Sequence, residues 1–303
     1  MPLAYFGTSD FAVDVLTRLV EAGEAPALVV TLPDRPRGRN RRPAPPPAAR
    51  AARRLELGLH QTADVNSAES LTAIRSTAAD VALVCAFGQI IREPLLSELE
   101  MLNVHPSLLP RWRGAAPIER TIMAGDERTG VSIARVTAGL DTGPLALVEA
   151  LAVDPRESYG ALAARLAVLG AELAREALER RRAGTLELRE QGEEGATYAE
   201  KITPAERRLD PTASAAELVR VVRALTPHIG AHLELADGGR LGVARASVAD
   251  QAVPSGALEA REGILLLGCR AGTARLERVQ PAGGREMDAE AYLRGHAVPE
   301  LAA

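Results

Sequence analysis

Several things are scarce in this sequence, and each scarcity excludes something. There are two cysteines, Cys85 and Cys269, far apart in the chain. They make no disulfide framework, so a reducing cytoplasm is the expected compartment. No run of about 18 apolar residues occurs, so no membrane-spanning helix and no membrane partner are expected. The N-terminus, Met1-Pro2-Leu3-Ala4-Tyr5-Phe6-Gly7, has no basic stretch ahead of its apolar residues, so no signal peptide is expected. Net charge is −4, which argues against a uniformly basic nucleic-acid binder. Lysine is nearly absent: of 36 basic residues only Lys201 is a lysine. No internal repeat stands out.

What is present is a large apolar fraction, 47% of 303 residues. That length suggests two domains. Residues 3–6 read as a strand, and Gly7-Thr8-Ser9-Asp10 as a turn into a helix reaching Leu19, with Ser9 or Asp10 as N-cap. Residues 27–31 read as a second strand. Strand, turn, helix, strand opens a βαβ unit and a parallel sheet, hence an α/β fold. Gly7-Thr8-Ser9 is not Gly-x-Gly-x-x-Gly, so no dinucleotide is inferred. A buried strand spans 80–86, and Phe87-Gly88-Gln89-Ile90-Ile91 follows it. A helix is expected over 115–124. A longer one should run from Ser158 to about Arg182, with Leu162, Leu166, Leu169 and Leu173 on one apolar stripe. Ser214 is placed to cap a helix over 215–225. Short strand-like stretches at 232–235, 241–244, 264–267 and 274–279, separated by Gly-containing turns, suggest a small barrel.

The chemistry concentrates in two runs. Asn103-Val-His105-Pro-Ser107-Leu108-Leu109-Pro110 begins as a strand end, because Pro106 removes a ladder donor. Asn103 and His105 are two apart, so both face one side of that strand. An amide can hold an oxyanion, and an imidazole can move a proton near neutral pH. The second run, Val131 to Val136, alternates like a strand and ends in Gly139-Leu140-Asp141-Thr142-Gly143. Two glycines bracketing an aspartate suggest a tight loop that presents a carboxylate. If the two strand ends lie side by side, Asp141 reaches His105. Each residue alone has a bland reading: a structural histidine, a turn-forming aspartate. Together they form a general acid/base set with an oxyanion donor, suited to formyl or acyl transfer to an amine. A metal at His105 is not expected, because no cysteine or second histidine stands at ligand spacing.

One stretch breaks with the acidic balance of the whole. From Leu32 to Arg54 there are eight arginines and a single acid, Asp34. Arg35, Arg37, Arg39, Arg41 and Arg42 fall among Pro33, Pro36, Gly38 and Pro43. This reads as an exposed, mobile, strongly positive loop. The bland reading is a solvated linker. The functional one is a local field suited to phosphates.

Asn103-x-His105-x-Ser107-Leu-Leu-Pro110, Arg111-Trp-Arg-Gly-Ala-Ala-Pro-Ile118 and Gly139-Leu-Asp-Thr-Gly143 resemble the signature of folate-dependent formyltransferases. Within that group the likeness is to the methionyl-tRNA formyltransferases. The resemblance implies a Rossmann-like N-terminal formyltransferase domain and a smaller C-terminal OB-like β-barrel domain. The expected division is a catalytic domain over 1–189, a linker over 190–207 and a tRNA-binding domain over 208–303. It implies 10-formyltetrahydrofolate as formyl donor, with no metal, and the α-amino group of charged initiator methionyl-tRNA as acceptor. Asn103 and protonated His105 would stabilise the oxyanion, and Asp141 would orient His105 and relay a proton; which of the two accepts it stays open. Folate would be held by Phe87, Gly88, Gln89, Ile90 and Ile91, by Ser107, Leu108, Leu109 and Pro110, and by Gly139 and Leu140. The arginine stretch resembles the family's Pro-Asp-Arg-Pro-x-Gly-Arg insertion, which implies tRNA contact for Arg35, Arg37, Arg39, Arg41 and Arg42. Thr197 to Ile202 resembles the family's lead into its second domain, whereas Thr226-Pro-His-Ile229 departs from its Asn-Pro-x-Pro. A monomer is expected. A sugar-nucleotide N-formyltransferase and a catalytically idle RNA-binding module are the alternatives; the arginines disfavour the first and the intact triad the second.

Overall fold

The structure is a computed structural model and describes residues 2–37 and 42–302. The chain forms two compact units. One comprises Met1–Pro117, Arg128–Ala152 and Ala163–Glu200; the other comprises Ile118–Glu127, Val153–Leu162 and Lys201–Ala303.

The elements of the first stretch follow in order. They are β1 (Leu3–Gly7), α1 (Asp10–Glu21), β2 (Leu28–Thr31), β3 (Arg35–Arg37), β4 (Arg42–Ala44), α2 (Pro47–Arg54), β5 (Leu59–Gln61) and α3 (Ala68–Arg75). Then come β6 (Val81–Cys85), α4 (Leu95–Glu98), β7 (Glu100–His105), β8 (Arg113–Gly114), α5 (Pro117–Ala124), β9 (Arg128–Arg135), β10 (Leu145–Ala152), α6 (Tyr159–Arg182) and β11 (Tyr198–Ala199).

Seven strands make one sheet in the order β10-β9-β7-β6-β1-β2-β5. β5, β2, β1, β6 and β7 are parallel. The apolar runs of β1 and β2, Leu3–Gly7 and Leu28–Thr31, are fully buried, as parallel strands covered on both faces must be. The order turns back between β1 and β6. That is the switch point where open α/β sheets leave a crevice at the carboxyl ends of their strands. α1 starts where expected: the Ser9 hydroxyl accepts from the Ala12 amide at 3.3 Å. Pro117 opens α5, two residues later than expected, since its missing donor costs nothing there. Gly170 of α6 faces Val104 of β7. A Cβ there would sit 2.9 Å from the valine methyl, so glycine lets the helix press against the strand that carries Asn103 and His105.

Two expectations are corrected here. β9 runs antiparallel to β7, with Leu102 opposite Arg135 and His105 opposite Ser132. The end of β9 therefore lies beside the start of β7, and the two strand ends are not neighbours. The arginine stretch is not an unstructured loop throughout. β3 and β4 pair antiparallel, Arg35 with Ala44, Pro36 with Pro43 and Arg37 with Arg42. The expected sites Arg39 and Arg41 lie outside the described residues.

The second unit adds α7 (Ala215–Leu225), β12 (Ala231–Glu234), β13 (Arg240–Ala249), β14 (Leu258–Arg261), β15 (Ile264–Gly268), β16 (Thr273–Pro281), β17 (Met287–Asp288) and α8 (Ala289–Gly295). Ser214 caps α7 in a reciprocal capping box with Glu217. The strands form one antiparallel sheet, β12-β13-β16-β15-β14, with β17 on β16. Among the described residues β12 and β14 do not pair, so the sheet is not a closed barrel. β14, Leu-Glu-Ala-Arg, went unexpected because it has almost no apolar signal; its pairing with β15 makes it a strand. Leu218, Val222 and Leu225 of α7 are buried in one cluster with Leu233, Leu241, Val243, Leu265 and Leu276 from the sheet. His228, between the two departures from the family pattern at Thr226 and Ile229, stacks on Tyr159 at 3.6 Å and bonds Glu119 at 2.9 Å.

Candidate active site

β7 places Asn103 and His105 on one face, as their spacing requires. The loop after β9 folds back and brings Asp141 to both. Asn103 Nδ2 donates to Asp141 Oδ1 at 2.9 Å. His105 Nδ1 lies 3.7 Å from Asp141 Oδ2, and that oxygen also accepts from the Gly114 amide at 2.8 Å. On the far side of the ring, Nε2 is 2.8 Å from the Trp112 carbonyl. A carbonyl only accepts, so Nε2 carries a proton. In the neutral ring Nδ1 is then the nitrogen with a lone pair, and it faces the carboxylate. His105 is buried and Asn103 partly so.

Two residues here hold backbone that side chains rarely adopt. Trp112 has φ +61° and Asp141 φ +53°. Such positions persist only where surrounding bonds over-determine them. The Trp112 amide is held by the Thr197 hydroxyl at 2.9 Å. The Asp141 carbonyl accepts from Gln191 Nε2 at 2.9 Å, and the Gly143 carbonyl from the same nitrogen at 2.6 Å. Arg113, 1% exposed, donates to Gln191 Oε1 and to both oxygens of Glu193. The Ser132 hydroxyl donates to the Ser107 carbonyl and accepts from the Leu109 amide, which sets the course of the loop after His105.

The expected folate residues fall in three places. Phe87 is buried and meets Phe6 edge-on at 5.4 Å. Ile91 is also core. Gly88, at φ +84°, is open, with nothing near where a Cβ would be. Gln89 spends its amide on the Thr62 carbonyl and the Val65 amide. Ile90 is 66% exposed and Leu140 62%, one in each of the loops that follow the strands flanking β7. Both are large apolar side chains left in solvent, and Leu140 adjoins Asp141 in the chain. Ser107 and Leu109 are buried, Leu108 and Pro110 half-buried and Gly139 exposed. Arg35 and Arg42 are exposed in their hairpin.

A family profile described as formyl transferase matches residues 1–178, and one described as formyl transferase, C-terminal domain, matches 201–297. The methionyl-tRNA formyltransferase of Halorhodospira halophila is 44% identical over 304 residues, covering 97% of this chain and 96% of that one. That of Phenylobacterium zucineum is 42% identical, covering 99% and 98%. The chain belongs to the methionyl-tRNA formyltransferase family. Solved structures resemble it in fold. HypX from Aquifex aeolicus in complex with tetrahydrofolic acid superposes with a TM-score of 0.69 at 17% identity, over 97% of this chain and 47% of that one. WlaRD, a sugar 3N-formyl transferase, does so at 0.65 and 13%, over 94% and 99%.

Within this family member, four residues of the network escape a sequence reading. Ser132 leaves a trace, a polar residue inside the apolar Val131 to Ala134 run. Thr197 stands in a stretch noticed for another reason. Arg113 lies in the signature run from Arg111 to Ile118, but nothing local marks it as buried in a chain so rich in arginine; Gln191 leaves no trace in a charged, glycine-containing stretch.

Proposed function

We propose that this chain transfers the formyl group of 10-formyltetrahydrofolate to the α-amino group of methionine on initiator tRNA, for translation initiation. The observation that carries the reading is the meeting of Asn103, His105 and Asp141 in a chain 42–44% identical, end to end, to methionyl-tRNA formyltransferases. The bound donor supplies the formyl carbon that the amine attacks. Asn103 keeps one amide hydrogen on Asp141 and turns the other to the oxyanion. His105, fixed by the Trp112 carbonyl, would accept the amine's proton at Nδ1 and return it to the donor nitrogen that departs as the tetrahedral adduct collapses. Nδ1 has an unused lone pair while Nε2 is engaged with the Trp112 carbonyl, which supports Nδ1 as the accepting atom. Asp141 then faces a positive ring across the 3.7 Å gap.

The donor's ring system would rest on Ile90 and Leu140, along the backbone of 87–91, 107–110 and 139–140. Arg35 and Arg42, with Arg37, Arg39 and Arg41, would meet tRNA phosphates. The backbone register sets Arg37 opposite Arg42, so two basic positions pair in the hairpin. The catalytic part is 1–189, 190–207 connects, and 208–303 holds tRNA. Two register shifts around Arg245 bend β13 and support an OB-like curvature for that sheet. The protein acts as a monomer in the cytoplasm. Its exposed large apolar side chains, among the described residues, are the five at 90, 140, 148, 198 and 248. Both cysteines are free and buried.

The test is direct. The protein is incubated with 10-formyltetrahydrofolate and charged initiator tRNA, and formyl-methionine is sought. A parallel reaction offers a nucleotide-linked amino sugar. Formylation of the sugar and not of the tRNA overturns the proposal.

A further inference from the structure

Asp141 needs more than its own loop to hold it. Its φ of +53° is a conformation that non-glycine residues leave readily. The brackets around it, Gly139 and Gly143, add freedom, not stiffness. Yet its carboxylate must keep two bonds at once, to Asn103 Nδ2 and to the Gly114 amide. Something outside the loop must fix its backbone.

Gln191, 50 residues further along the chain, makes that connection. Its Nε2 reaches the carbonyl of Asp141 itself at 2.9 Å and that of Gly143 at 2.6 Å. Its Oε1 accepts from Arg113 Nε at 3.4 Å and Nη2 at 3.2 Å. The two ends of the amide cannot be exchanged. Carbonyl oxygens only accept and a guanidinium only donates, so the reversed amide would set oxygen against two oxygens and NH₂ against NH₂. Arg113 in turn lies between the motif residues Trp112 and Gly114, and Gly114 supplies the second donor to Asp141. The segment from Arg189 to Ala199 ties both sides together. Arg189 pairs with Leu145 just beyond the Asp141 loop. Thr197 and Ala199 take the amides of Arg113 and of Ala115 and Ala116.

We propose that Gln191 is a positioning residue of the formyl-transfer site: through one amide, oriented by Arg113, it holds the Asp141 backbone where the carboxylate can serve Asn103 and His105. The inference rests on the function proposed above for that site.

Two variants separate positioning from packing. Gln191→Glu keeps the shape and strengthens the bond to Arg113, but turns an oxygen onto the two carbonyls. Gln191→Met keeps the bulk and removes every polar contact. Each variant should lower kcat about 10-fold or more, the effect of losing one or two hydrogen bonds. KM for donor and for tRNA should stay within about twofold. In an Asp141→Asn background, Gln191→Met should cost nothing further, since residues acting as a unit are not additive. A readout independent of activity is amide exchange at Gly114, which should quicken about 10-fold or more in Gln191→Met, with thermal midpoint within a few degrees of wild type. Unchanged Gly114 exchange, or an equal fractional loss of kcat in the Asp141→Asn background, overturns the proposal. A wild-type protein that formylates no tRNA overturns the functional reading instead, and leaves the exchange result standing by itself.

Discussion

Asn103 shows why residue types matter more than their charge in this site. Its side-chain nitrogen carries two hydrogens, and only one is used on Asp141. Alanine there would delete the proposed oxyanion donor and leave the strand intact. Asn103→Ala should slow the chemical step roughly 10²–10³-fold. His105→Ala and Asp141→Ala should each cost about 10²–10⁴-fold or more. Single-turnover rates on charged tRNA decide this, with circular dichroism to check the fold. Near-normal turnover in His105→Ala removes the ring from the mechanism. Elsewhere, burial acts against chemistry. The Cys85 thiol, enclosed beside Tyr5, is pushed up to about 12 by that burial, so it stays protonated and inert at neutral pH.

At the scale of elements, the β3–β4 hairpin and the Arg120–Glu206 pair make separable predictions. The hairpin arms expose arginine and proline and contribute no large apolar side chain to the core. Replacing Arg39, Arg41 and Arg42 together by alanine should weaken tRNA use and leave folate binding unchanged. Each lost phosphate contact should flatten the slope of log affinity against log salt by about 0.7–0.9. Coincident slopes for wild type and triple mutant would reduce the hairpin to a solvated excursion. In the second unit, the Arg120 guanidinium bonds Glu206, and the Thr203 amide and hydroxyl add to it. Together they hold the Glu206 carboxyl down to about 2, against burial that opposes them. A carboxylate lowered on folding stabilises the native state fully above its ordinary pKa of 4.5, and that contribution fades as pH falls toward 2. Glu206→Gln should therefore lower the urea midpoint at pH 6, slightly less at pH 4, and far less near pH 2. The side chain is a third exposed, so solvent keeps the effect small. A difference that does not change with pH would trace the loss to packing.

For the whole molecule, folate should protect amides in the first unit only. The loops 86–91 and 139–141 follow strands on either side of β7, and a donor resting on Ile90 and Leu140 covers both. Exchange measured with a bound folate analogue should slow there, and not beyond Lys201. Protection confined to residues after Lys201 would move the donor site to the second unit. Much of this was legible beforehand. Ser9 and Ser214 cap helices because a cap is a contact three residues long. Asn103 and His105 share a face because a strand alternates with period two. The order strand, turn, helix, strand over residues 3–31 announced a parallel sheet because a parallel pair needs a crossover between its strands. These are properties of neighbours in the chain, and the sequence by itself determines them. The direction of β9 was not among them. A stretch of alternating residues looks the same whether it runs up or down the sheet, and only pairing with β7 decided that the Asp141 loop must fold back to meet Asn103. Gln191, Arg113 and Thr197 stayed hidden for the same reason. Their bonds join residues 48 to 85 apart. Bonds of that range depend on the path of the whole chain, which no local spacing records.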